Sequence, residues 1–109
     1  MSNQRQDAAV AQCILEQLGG RRFIAMTGAN SFVSGDGGLT FRIPSNMTRK
    51  RGSTLRITLT GGDEYRLEYM KIRNFEPVMI EEMTGVQVSG LQQAFTRLTG
   101  LDTSLGRAA

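Results

Sequence analysis

Histidine and tryptophan are absent from the 109-residue chain, and cysteine occurs once. Without histidine there is no His-based catalytic triad, no histidine metal site and no ready general base near neutral pH. The lone Cys13 can form neither an internal disulfide nor a CxxC redox pair, so nothing marks the chain as secreted. No stretch approaches the roughly 20 apolar residues that span a bilayer. Residues Met1 to Asp7 are polar and lack the apolar segment of a signal peptide. These absences lead us to expect a cytoplasmic chain with no membrane partner.

Acidic residues are as uninformative about catalysis. Asp63-Glu64 and Glu81-Glu82 are adjacent pairs, which on a strand point to opposite faces and cannot share a site. Cys13 has no histidine to activate it. Asp36, set among glycines, lacks the further acidic ligands of a calcium loop. Gly35-Asp36-Gly37-Gly38 is not followed by the Gly-Lys-Ser/Thr of a phosphate-binding loop. The expectation is a non-enzymatic protein with no catalytic residues, metal, cofactor or small-molecule substrate.

What remains is a chain able to fold as one domain over residues 1–109, with 1–5 and 102–109 expected to fray. By surface scaling, a chain of 12.0 kDa buries about two-thirds of its surface without disulfides or metals. Val10, Ile14, Leu15 and Leu18 recur at helical spacing, and Gly19-Gly20 supplies a stop. Cys13 lies beside that apolar face and is expected to pack. The period then changes to two. Phe23 to Thr27 reads as a short apolar strand, Ser34 to Gly38 as a hairpin turn, and Leu39, Phe41 and Ile43 as a half-buried strand ended by Pro44.

A second hairpin is more explicit. Leu55, Ile57 and Leu59 alternate with Arg56, Thr58 and Thr60; Gly61-Gly62-Asp63 turns the chain; Tyr65, Leu67 and Tyr69 alternate with Arg66 and Glu68. The phase blurs at Met70 to Ile72, as at a bulge or in a strand buried on both faces. Residues 78–83 form a fifth strand candidate. Leu91, Ala94, Phe95 and Leu98 then line a C-terminal helix, with Ser89 as N-cap, Gln92 completing a capping box, and Gly100 at the C-terminal stop. The fold class is α+β: an antiparallel meander of four to five strands between an N-terminal and a C-terminal helix.

Charge is uneven along this outline. The net charge is −1 over residues 1–20, +6 over 21–73 and −2 over 74–109. A basic middle suggests a polyanion partner. Basic residues there interleave with aromatics on strands, the mixture that single-stranded nucleic acids require: cations for phosphates and rings for bases. Two fates stay open for Phe23, Phe41 and Tyr65, stacking on bases or filling the core. The candidate nucleic-acid-binding residues are Arg42, Arg49, Lys50, Arg51, Arg56, Arg66, Lys71 and Arg73. Arg42, Arg56 and Arg66 alternate with apolar neighbours and so share a face; Arg49-Lys50-Arg51 forms a basic loop. The expected function is single-stranded DNA binding without sequence preference, with single-stranded DNA favoured over RNA or duplex. The alternative is a non-enzymatic module that docks on another protein.

Two resemblances bear on this expectation. The phrase Ile14-Leu15-Glu16-Gln17-Leu18-Gly19-Gly20-Arg21-Arg22-Phe23-Ile24-Ala25-Met26-Thr27-Gly28-Ala29 is joined by Leu39-Thr40-Phe41, Arg56-Ile57-Thr58-Leu59 and the ending Phe95-Thr96-Arg97-Leu98-Thr99-Gly100-Leu101. Together they resemble small uncharacterised proteins of bacteria, phages and mobile elements, which implies a phage or mobile-element setting. Gly85-Val86-Gln87-Val88-Ser89-Gly90-Leu91 is similar to the lead into the helix in the single-stranded-DNA-binding domain of the transcriptional coactivator p15 and its bacterial and phage relatives. That resemblance implies a homodimer that holds single strands through basic strand and loop residues. The present chain departs from it by an added N-terminal helix and by the absence of an aromatic in the first turn of the last helix.

Two amphipathic helices and many apolar strand positions are generous for so small a core, which also favours a homodimer. Light scattering at micromolar concentration should therefore give twice the 12.0 kDa chain mass; a particle of the single-chain mass contradicts this.

Overall fold

The computed structural model describes residues 4–101 and 103. The fraying expected of 1–5 and 102–109 bears mostly on residues outside that set. Helix α1 (Gln4–Leu18) and helix α2 (Gly20–Thr27) lead into strands β1 (Asn30–Gly35), β2 (Gly38–Arg42), β3 (Thr54–Thr60), β4 (Glu64–Arg73) and β5 (Glu76–Gln87), and helix α3 (Leu91–Thr99) follows. The five strands form one antiparallel sheet in sequence order. This is the α+β meander expected, with one helix more. No helix among the described residues is long and apolar enough to cross a membrane.

The additional helix replaces an expected strand. Phe23 to Thr27 is not extended but closes α2, and the first strand is Asn30–Gly35 instead. A run of four apolar residues and a threonine carries no decisive period. Here packing decides it: Phe23 and Thr27, four apart, are both buried, whereas Arg21, Arg22 and Ala25 between and before them are exposed. The helix ends on Gly28 in the left-handed region (φ 74°), whose N–H donates to the Ile24 carbonyl at 2.8 Å. The Thr27 hydroxyl donates back to the Phe23 carbonyl at 2.8 Å and accepts from the Ala29 N–H at 3.2 Å.

Helix α3 stops in the same way. Gly100 has φ 81° and its N–H donates to the Thr96 carbonyl at 2.7 Å. The Thr99 hydroxyl donates to the Phe95 carbonyl at 2.9 Å and accepts from the Leu101 N–H at 3.1 Å. Phe23-x-x-x-Thr27-Gly28 and Phe95-x-x-x-Thr99-Gly100 are thus one helix-ending pattern used twice. The start of α3 differs from expectation. Gly90 is its N-cap, Ser89 lies in the preceding 3-10 turn, and no side chain caps the helix. Gln92 instead reaches α1, donating to the Gln17 carbonyl at 3.1 Å.

All three helices cover one face of the sheet. Leu39, Phe41, Leu55, Ile57, Tyr65, Leu67 and Tyr69 point into that face and are buried, together with Ile14 and Leu18 of α1 and Leu91, Ala94, Phe95 and Leu98 of α3. Phe23 packs edge-on against Phe41 (5.6 Å between centroids) and Phe95 (5.0 Å), so three elements meet at one aromatic cluster. Such pairs contribute roughly 0.5–1.5 kcal/mol each beyond burial. The Tyr65 hydroxyl donates to Gln17 Oε1 at 2.7 Å, tying β4 to α1. Burial raises the Tyr65 pKa, the Cys13 thiol and Asp63 raise it further, and the Gln17 hydrogen bond partly opposes them. Cys13 itself, expected to pack, is exposed, with Gln17 Nε2 at 3.2 Å from its sulfur.

The connection from β2 to β3 is fixed by close approach. Tyr69 donates its hydroxyl to the Arg49 carbonyl at 2.7 Å, and its ring lies where a Cβ on Gly52 would be. The backbone on either side is held by Ser53 N–H to the Met70 carbonyl (3.0 Å) and Ile43 N–H to the Ser53 carbonyl (2.9 Å). Only glycine fits against the ring at position 52. Gly52→Ala should lower the unfolding free energy by about 2 kcal/mol, the scale of core overpacking, in urea titration; an unchanged midpoint contradicts the close approach.

Candidate nucleic-acid interface

A meander returns alternate connections to the same end of its sheet, and this sorts the charges. The turns β1–β2 (Asp36-Gly37) and β3–β4 (Gly61-Gly62-Asp63) lie at one end. Asp36, Asp63 and Glu64 are there. The β2–β3 connection and the β4–β5 turn (Asn74-Phe75) lie at the other. Arg42, Arg49, Lys50, Arg51, Lys71 and Arg73 are at that end, against Glu76 and Glu81. Six of the eight cations singled out from the sequence are therefore gathered at one end of the sheet.

The helix-free face carries the other two. Register places Val33, Thr40, Arg56, Glu68 and Glu82 in one row across the strands, and Asn30, Arg42, Thr54, Met70 and Met79 in the next. Neighbouring strands lie about 4.8 Å apart and diagonal neighbours roughly 7–8 Å apart, so Arg42 and Arg56 are adjacent across β2 and β3. A hollow of about 400 Å³ opens on this face, bordered by Val33, Asp36, Thr40, Arg56, Arg66 and Glu68. Arg42 and Arg56 are exposed, and among the described residues no carboxylate forms an ion pair with either. Arg66 is different: it pairs with Glu82 and lies 3.7 Å from Glu68. Its charge balances two carboxylates that face each other across β4 and β5, where like charges would otherwise repel.

The loop cations also divide. Arg49 is half-buried: its Nε donates to the Leu98 carbonyl at 3.0 Å and its guanidinium pairs with Glu81. A cation that satisfies a free carbonyl at a helix C-terminus stabilises the helix end, so Arg49 joins the loop, α3 and β5. Lys50 and Arg51 follow it in a 3-10 turn with left-handed backbone (φ 53° and 56°), and both are exposed. Lys71 is half-buried and Arg73 exposed on the ribbon where β4 and β5 run on past β3, which starts at Thr54 opposite Met70. Glu81 and Glu82 do take opposite faces, one to Arg49 and one to Arg66. Tyr69 and Met70, consecutive on β4, are both buried, so the strand is covered on both faces where the blurred phase begins, and the bulge lies in β5 opposite them.

The aromatic question resolves toward the core. Phe23, Phe41, Phe95, Tyr65 and Tyr69 are buried, and Phe32 packs half-buried against Phe41. None of these rings is open on the helix-free face. Phe75 alone among the described aromatics is fully exposed, at the tip of the β4–β5 ribbon. The sequence gives it no assignment, because the phase blurs before it and the fifth strand candidate starts only at 78; the two-residue turn follows from the pairing of Arg73 with Glu76. No protein-family model, curated protein or solved structure matches the chain.

Arg49 and Lys50, adjacent in sequence, should respond differently to truncation. Arg49→Ala should destabilise the fold by about 1 kcal/mol, a partly exposed ion pair and a carbonyl hydrogen bond being lost together. Lys50→Ala should stay within about 0.5 kcal/mol. Thermal unfolding of the two variants checks this, and equal midpoints contradict the division.

Proposed function

We propose that the chain binds single-stranded DNA without reading its sequence, through the basic end of the sheet. The observation that carries this reading is the segregation of charge by the meander, with Arg42, Lys50, Arg51, Lys71 and Arg73 at one end and the acidic turns at the other. Cations dispersed over a solvated surface would not require such sorting. A flexible single strand can follow cations that sit on strands, loop and ribbon at different heights, which the stiff, regular array of a duplex cannot. Base readout on the sheet is not part of the proposal, because its aromatics are in the core.

The roles are graded by what each side chain already holds. Arg42, Lys50, Arg51 and Arg73 are exposed and carry no ion pair among the described residues; they contact phosphates, the arginines able to do so bidentately and Lys50 as a point charge. Arg56 extends the path onto the helix-free face. Arg66, engaged by Glu82 and Glu68, contributes less, and Arg49 positions the loop.

Fluorescence anisotropy with a labelled oligonucleotide of about 15 nucleotides tests the reading. Each phosphate neutralised on a single strand contributes about −0.7 to the slope of log affinity against log salt. Four contacts therefore predict a slope near −3. Replacing Lys50 and Arg51 together by alanine should flatten it by about 1.4, whereas Arg66→Ala should leave it nearly unchanged. No binding at low salt with tens of micromolar protein contradicts the proposal.

A further inference from the structure

We infer that Phe75 is a platform on which an unpaired base stacks, an inference that rests on the single-strand reading above. The residue is fully exposed, so its ring buries no apolar area in the fold. It also occupies a backbone conformation that a bulky side chain disfavours. Arg73 pairs with Glu76, and the two residues between them, Asn74 and Phe75, have φ 53° and 66°. This is the hairpin turn with two left-handed positions, in which the second place ordinarily belongs to glycine.

The same chain supplies the comparison. Gly35 pairs with Gly38, and between them Asp36 and Gly37 have φ 53° and 73°. The two turns share one geometry. One uses Asp-Gly, the sequence the geometry favours; the other uses Asn-Phe. Folding alone gives no reason for the ring. A strained, solvent-facing residue kept without a packing role points to something outside the chain.

The surroundings select a base as the occupant. The ribbon runs about 10 Å past the start of β3, leaving from the end of the sheet where the cations gather. Lys71 and Arg73 precede the tip on β4, within reach of the phosphates that flank a base on Phe75. Ile72, Val78 and Met79, exposed further back along the ribbon, offer additional apolar surface. Every base has a π-face, so such a contact adds affinity without adding sequence preference.

The absence of tryptophan allows a direct test, since Phe75→Trp introduces the only indole in the chain. A 15-nucleotide oligothymidine should quench its fluorescence on binding. An abasic sugar-phosphate oligomer of equal length should bind through phosphates without quenching it. Phe75→Gly should weaken oligothymidine binding roughly 5- to 150-fold, the range for loss of one stacked base, while its melting temperature is not lowered, because glycine suits the turn. Binding without quenching, or equal affinity for Phe75→Gly, overturns the stacking and leaves the phosphate reading standing. Failure of the unaltered protein to bind either oligomer overturns both. If Phe75→Gly turns a dimer into a monomer, or if only phosphatidylserine vesicles quench the indole, the ring belongs to a second copy or a lipid surface and the inference is wrong.

Discussion

The aromatic cluster of Phe23, Phe41 and Phe95 is the constraint from which the rest of the architecture follows. One ring comes from α2, one from the second strand and one from α3, and each touches the other two. Both helices end four residues after their ring, with a threonine hydroxyl closing on the phenylalanine carbonyl and a left-handed glycine turning the chain away. Ring contact and helix stop are thus built by the same three residue types at the same spacing, twice. The rings hold α2 and α3, and Ile14 and Leu18 hold α1, to one side of the sheet; the other side is left bare, and the side chains alternating with the core residues define it.

Two consequences for function follow from that arrangement. Rings spent in the core are not available on the open face, so any polyanion held there would be held by charge. Strand order then determines where the charge lies. An antiparallel meander places the first and third turns together and the second and fourth connections together, which separates Asp36, Asp63 and Glu64 from the basic loop and ribbon. Arg49 does not act as a free cation within this group; by bridging Leu98, Glu81 and Tyr69 it fixes where Lys50 and Arg51 stand. The proposed contact with single-stranded DNA depends on that fixed loop as much as on the charges themselves.

Much of the fold was legible in the residues. Alternation in 55–60 and 65–69 assigns faces correctly, since neighbours on a strand must point opposite ways. The helical spacing of Leu91, Ala94, Phe95 and Leu98 marks the buried stripe of α3. Phe23 to Thr27 reads as a strand because four apolar residues and a threonine fit either period. The evidence against a strand was nonetheless present, in the repeat of Phe-x-x-x-Thr-Gly at a segment already recognised as a helix end. The site was legible as a set of cations but not as an arrangement. Lys and Arg look alike in a sequence whether they are free, as Arg42 is, or engaged, as Arg49 and Arg66 are. Those partners lie 32 and 16 residues away, beyond any local pattern. Phe75 carries no signal in the sequence for a related reason: its exposure and its positive φ exist only once the ribbon is formed.

The central claim is spatial: a single strand lies on the basic end of the sheet and not elsewhere. Hydrogen-exchange mass spectrometry on the protein with and without a saturating oligothymidine measures this directly. The account predicts added protection in residues 42–52 and 71–79, with the turns at 35–38 and 61–64 unchanged. Protection confined to those acidic turns or to α1, or no protection at an oligonucleotide concentration that saturates binding, would contradict it.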